Sequence, residues 1–178
     1  MYLHRRNAGA VAAAGGMYHV VPAGVFQPAA LAPAHQANDF SFWRNIQREF
    51  SEEFLGNAEH DGNSVEPIDY LVEEPFASFE RARLAGDFRV SALALVLEPL
   101  TLLLTVAVIE GPVFDALFGN MVAVNDEGAA VSTDASRPTV GIPFAAAARE
   151  RLRDEPLSPI SRACIELVWR HRHELLGR

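Results

Sequence analysis

The most apolar stretch of the chain, residues 90–109, is close to the length needed to cross a bilayer, and what interrupts it constrains the rest of the fold. Glu98 and Pro99 stand at its centre. A carboxylate at mid-membrane and a proline without a backbone N–H both argue against a lone transmembrane helix. The run is also thick with Val, Leu and Thr, which suit a pleated, buried surface. Two buried strands are expected, at residues 89–97 and 100–109, bent or joined at Glu98-Pro99. A buried helix is the competing reading. Either needs apolar partners to cover it. With 178 residues, 49% of them hydrophobic and 21% charged, the chain is long enough to bury a core as one domain spanning residues 1–178.

Charge narrows the function classes. Fifteen basic residues face 23 acidic ones for a net charge of −8, and every basic residue is arginine. A field of that sign repels polyanions, so direct nucleic-acid binding is not expected, whereas a small anion bridged by a metal remains open. Cys164 is the only cysteine, which fits a reduced, cytoplasmic setting and excludes a Cys/His zinc site. Gly15, Gly16, His19 and Pro22 break the stretch after the basic start, so no signal peptide is expected.

The other elements are placed by pattern. Residues 17–21 read as a short strand closed by Pro22-Ala23-Gly24, and residues 27–38 as a proline- and alanine-rich loop. The clearest helix is residues 39–55, where Trp43, Ile46, Phe50 and Phe54 recur at helical spacing, Asp39 suits the positive end of the dipole and Gly56 is a natural stop. Residues 57–66 are polar and turn-rich, and residues 75–84 form a short helix ended by Gly86. Residues 113–124 mix a turn with a strand, Asn125-Asp126-Glu127-Gly128 is a turn, and residues 132–138 are a loop. A helix over residues 144–153 precedes a last one that opens with Ser158 as N-cap and Pro159 at the first helical position and runs to Leu176. Strands flanked by helices, with no repeat and no long linker, give an α+β architecture.

The chemistry-bearing candidate lies on the clearest helix, in Arg48-Glu49-Phe50-Ser51-Glu52-Glu53-Phe54-Leu55-Gly56. Its three glutamates fall within roughly a 100° arc, beside the apolar stripe and not within it. Carboxylates held on one face repel each other unless a cation sits among them, and hard oxygen ligands suit Mg²⁺ or Mn²⁺. A solvated helix face is the alternative reading of the same residues.

This segment resembles the Nudix box, a helix carrying Arg-Glu-apolar-any-Glu-Glu followed by glycine. Arg48, Glu49, Phe50, Glu52 and Glu53 match it position for position, Tyr18 through Gly24 resemble the strand and turn that lead into it, and Leu3-His4-Arg5-Arg6 resembles a strand with an arginine pair that comes before it. The resemblance covers residues 3–56. The family spacing counted from Gly24 places the box arginine at position 38, where this chain has Asn38, and a glutamate at position 30, where it has Ala30. The connecting loop is therefore longer, the intermediate glutamate is missing, and Leu55 stands where the box glycine is expected.

The resemblance implies a Nudix-like α/β/α sandwich with a mixed sheet, lacking its first strands or belonging to a longer chain. It implies Glu49 and Glu53 as main metal ligands, Glu52 as a further ligand or the residue activating water, the Gly24 carbonyl completing the coordination, and Arg48 holding the carboxylates. Glu127 is the candidate for an acid contributed by a distant loop. The implied activity is Mg²⁺- or Mn²⁺-dependent hydrolysis of the pyrophosphate bond in a nucleoside diphosphate linked to another group. The chain is also similar to the Nudix-like region of actinobacterial helix-turn-helix regulators, through residues 19–28, residues 48–56 and Trp169-Arg170-His171-Arg172. That implies the alternative: a catalytically inactive module that senses a small nucleotide-type ligand in transcriptional regulation. Homodimerisation is left open, and no membrane partner is expected.

Other residues carry plainer readings. His19 reads as a packed strand histidine, and His35 and His60 carry no ligand spacing. Arg170 through His173 place positive charge at a helix end, where the dipole favours it. Trp169 reads as a core residue and Gly15-Gly16 as a turn.

Overall fold

A computed structural model of the chain describes residues 1–9, 14–59, 66–96, 102–134, 136–137 and 139–177. The expected bend at Glu98-Pro99, His60 and the last residue of the 132–138 loop lie outside the described residues. The architecture is α+β. Contacts divide the chain into two compact units: Met1–Val21, Arg89–Ile109 and Ala123–Arg178 form the first, and Pro22–Phe88 with Glu110–Val122 form the second.

The first unit is built on strands. In chain order these are β1 (Leu3–Arg6), β2 (Tyr18–Val20), β3 (Phe88–Val96, whose first residue belongs to the second unit), β4 (Leu102–Ile109) and β5 (Gly128–Ala130). A three-stranded antiparallel sheet runs β2-β1-β5, with His4 opposite His19 on one side and opposite Ala130 on the other. The pair expected from the apolar run forms as β3 and β4, a separate two-stranded sheet. Among the described residues there are thus two small sheets where the resemblance implied one mixed sheet. Leu3, Ile142, Ala148, Leu152, Leu157 and Ile165 make the core beneath the three-stranded sheet.

Three helices of this unit follow the second half of the chain: Ala146–Leu152, Pro159–Arg170 and Arg172–Leu176. The expected final helix is therefore broken, with His171 leaving helical geometry between its two parts. Ser158 caps the longer part as expected, accepting the Ser161 N–H. The same hydroxyl lies 2.8 Å from His19 Nδ1, and Ser161 Oγ accepts the Val20 N–H at 2.8 Å, so the helix start is bonded directly to β2. Ser158 and Ser161 are fully buried, which makes this a latch and not an accessible hydroxyl nucleophile.

The second unit is helical. Numbered along the whole chain, its helices are α1 (Pro33–Asp39), α2 (Phe42–Glu53), α3 (Phe76–Ala85) and α4 (Gly111–Phe118), with α5 to α7 being the three named above. Two of these four were not expected. α1 falls in residues 33–38 of the stretch read as loop and takes in Asp39, read as the start of the next helix, and α4 covers residues 113–118 of the 113–124 stretch read as turn and strand. Both have a proline in the first turn, where its missing N–H has no partner to lose and its fixed φ already suits a helix. The clearest helix also starts later than expected. Ser41 is its N-cap, accepting the Arg44 N–H, while Asp39 ends α1 with its carboxylate buried.

Phenylalanine fills this unit's interior. Phe50 and Phe54 of α2 meet Phe79 of α3, Phe118 of α4 and Phe88, with Phe50–Phe88 edge-on at 5.2 Å and Phe79–Phe118 stacked at 5.5 Å. Each fully buried ring contributes about 1.5–3 kcal/mol by removal from water, which explains why the apolar stripe of α2 faces inward. α3 ends as expected at Gly86, whose φ of 83° is the left-handed conformation that stops helices. With its inner face committed to the aromatic core, α2 presents its carboxylates on other edges.

Candidate functional site

Glu49 and Glu53 lie one turn apart on α2, and the chain just after β2 folds back onto both. A Cβ built on Gly24 would fall 1.8 Å from Glu49 Oε1, so the loop backbone lies against that carboxylate and only glycine leaves it room. One residue earlier, the Ala23 N–H donates to Glu53 Oε1 at 2.7 Å. Glu53 is only 4% exposed, whereas Glu49 is half-buried. The structure therefore brings together Gly24, Glu49 and Glu53 from the predicted set.

A buried polar network fixes this arrangement from behind. Asn45, one turn before Glu49, points its amide Nδ2 at Glu49 Oε1 at 3.4 Å and accepts the Gln27 N–H at 3.3 Å. Arg48 donates to Asn45 Oδ1 at 3.2 Å, to the Gln27 carbonyl and to the Tyr70 hydroxyl at 2.6 Å. The Tyr70 hydroxyl in turn donates to Asp39 Oδ1 at 3.0 Å, and that carboxylate stands 3.6 Å from Arg48 and accepts the Ala29 N–H. Burial pushes the Tyr70 phenol well above its ordinary range, so it stays a donor. Asp39, Arg48 and Tyr70 are all at most 5% exposed. A buried ion pair of this kind is sustained only when its remaining hydrogen-bonding groups are satisfied, as they are here.

Arg48 thus sits one residue from Glu49 and ties the loop that carries Gly24 to α2. Sequence reasoning singled out Arg48 but missed its partners. Asn45 was legible in principle, because a side chain four residues before Glu49 on a helix must lie beside it. Tyr70 and Asp39 reach Arg48 from distant positions and had no local signal.

The remaining predicted residues stand differently. Glu52 is half-buried on the adjoining edge of α2. Among the described residues, no three Asp, Glu, His or Cys side chains are arranged to hold a metal ion. Glu127 belongs to the strand-built unit, in a turn where Asn125 Oδ1 accepts the Glu127 and Gly128 N–H groups, and its carboxylate pairs with Arg6 at 3.0 Å. The donor set at the loop is two carboxylates and a glycine backbone. That set fits Mg²⁺ or Mn²⁺, since Mg²⁺ is commonly held by one or two carboxylates with water and substrate phosphate supplying the other oxygens.

No helix among the described residues is long and apolar enough to cross a membrane. No family model, curated protein or solved structure matches this chain.

Proposed function

We propose that this chain is a Nudix-type hydrolase, with a Nudix-like α/β/α sandwich as its framework, that uses Mg²⁺ or Mn²⁺ to cleave the pyrophosphate bond of a nucleoside diphosphate linked to another group. The observation that carries the reading is the closure of the Ala23-Gly24 backbone onto Glu49 and Glu53. Glu49, Glu53 and the Gly24 carbonyl would hold the ion, which supplies neutralisation of the diphosphate charge and a lowered pKa for the attacking water. The longer loop supports the reading as well. It folds α1, and α1 ends in Asp39, so a buried carboxylate faces Arg48 although Ala30 leaves no acid at its own position.

The chain's residues divide the work. The Ala23 N–H fixes one oxygen of Glu53, and Asn45 fixes one of Glu49. Glu52, on the adjoining edge, is a further ligand or the base that takes the proton from water. The water oxygen then bonds to phosphorus while the bridging oxygen leaves with its electron pair on the other phosphate.

The test is metal-dependent hydrolysis of a panel of nucleoside diphosphate compounds, followed by ³¹P NMR, with Glu53→Gln run beside the parent. Turnover that needs the metal and falls at least a hundredfold in the variant supports the hydrolase. A panel that binds with metal but is never cleaved favours the second reading, a ligand-sensing module associated with transcriptional regulation. One observation favours that alternative: Ala30 stands where the family pattern has a glutamate.

A further inference from the structure

Three phenylalanines of the helical unit face solvent together. Phe26, Phe40 and Phe42 are 40%, 80% and 53% exposed, and Phe26 lies 5.4 Å from Phe40 and 4.4 Å from Phe42, centroid to centroid. The Phe26–Phe42 planes are inclined by only 30°. The same unit buries Phe50, Phe54, Phe76, Phe79, Phe88 and Phe118, so three exposed rings in contact with one another are a departure from how it places its phenylalanines and point to a binding surface.

The position of the cluster says what it would bind. Phe26 is two residues beyond Gly24, on the loop that rests against Glu49. Phe42 opens α2, and at helical periodicity Glu49 and Glu53 lie within about 20° of it on either side. Glu49 follows it by two turns, roughly 10 Å along the axis. One helix edge therefore reads aromatic surface, then carboxylates. A ligand laid along it needs a flat apolar ring at one end and an anionic, metal-bridged group at the other, separated by about the length of a sugar and its first phosphate.

We infer that Phe26, Phe40 and Phe42 form the stacking surface for the base of a nucleotide whose diphosphate lies at Glu49 and Glu53. The inference rests on the proposed metal–diphosphate reading of that site and adds the ring-binding end to it. Phe40 comes from the end of α1, which the extra loop residues build, so the longer loop supplies part of the surface.

Two probes separate the ends of the site. Adenosine in excess chelator reads the aromatic surface without metal, and inorganic pyrophosphate with Mn²⁺ reads the carboxylates without a base; both are followed by NMR titration of the parent, Phe40→Ala and Phe42→Ala. Both phenylalanines are exposed, so the variants should melt within a few degrees of the parent. The expected result is that adenosine affinity falls about tenfold in each variant, in line with loss of one stacking partner, while pyrophosphate affinity changes less than twofold. Adenosine binding that the variants leave unchanged, or no adenosine binding by the parent, overturns the stacking surface and leaves the metal reading intact if pyrophosphate still binds. Adenosine binding without any metal-dependent pyrophosphate binding overturns the diphosphate end instead, and with it the combined site. A parent that self-associates through the patch, becoming monomeric in Phe40→Ala with no change toward adenosine, overturns the inference in favour of a second copy of the chain as the occupant.

Discussion

A methyl group added at position 24 would land on the Glu49 carboxylate, and the atoms it meets are the far end of a flexible side chain. Gly24→Ala is therefore expected to move Glu49 rather than unfold the loop. Mn²⁺ affinity should fall tenfold or more, the size of effect seen when a ligand loses its positioning, while the melting temperature changes little. Titration calorimetry reads the first and thermal denaturation the second; unchanged Mn²⁺ affinity would mean that Glu49 is not a ligand. Tyr70→Phe tests the network behind it. The hydroxyl both accepts from Arg48 and donates to Asp39 in a fully buried setting, so its removal should destabilise the protein by about 1–3 kcal/mol in urea titration, because two charged groups each lose a bond. A change below a few tenths of a kcal/mol would show that Arg48 and Asp39 simply close on each other.

At the scale of elements, β2 has three residues and is held by more than its pairing with β1. Ser161 Oγ accepts the Val20 N–H, and His19 bonds to Ser158, so the start of α6 takes over hydrogen bonds that so short a strand would otherwise leave to water. Ser161→Ala should cost about 1–2 kcal/mol and speed hydrogen exchange of the Val20 amide selectively; uniform exchange across β1 and β2 would argue against a local latch. The elements legible from sequence were those with a full local signal: the 3.6-residue apolar period and following glycine of α2, the Gly86 stop of α3, the Ser158-Pro159 start of α6, and the strands on either side of Glu98-Pro99. α1 was missed because the prolines of residues 27–38 were taken as loop residues, although Pro33 stands in a first helical turn, and α4 because its start at Gly111-Pro112 was not read as a helix opening. Within the site, Glu49, Glu53 and Arg48 share one helix and were visible together. Asp39 was read as the first residue of the wrong helix, and Tyr70 meets Arg48 only through tertiary packing, which no local pattern encodes.

For the molecule as a whole, the two units carry different chemistry in their interiors. The strand-built unit buries His4 and His19 as cross-strand neighbours, and burial, with the nearby Arg6 charge adding to it, lowers each pKa to about 4. Unfolded, each returns to about 6.5. Between those values the unfolded chain binds more protons than the folded one, so stability is fully present above about pH 6.5, falls as the pH drops, and is lost by about pH 4. The contribution is on the order of 3 kcal/mol per histidine. Among the described residues, the helical unit has no matching pair of buried cross-strand histidines beside an arginine, and its aromatic core is phenylalanine. The chain's two tryptophans separate the units, with Trp43 in the helical one and Trp169 in the strand-built one. Single-tryptophan variants, Trp43→Phe and Trp169→Phe, then report each unit by fluorescence. Lowering the pH from 7 to 5 should reduce the melting temperature reported by Trp169 by several degrees more than that reported by Trp43, and replacing His19 with Gln should remove part of the difference. Equal shifts from both reporters would mean that the units unfold as one cooperative body and that the buried histidines set the acid limit for the entire chain.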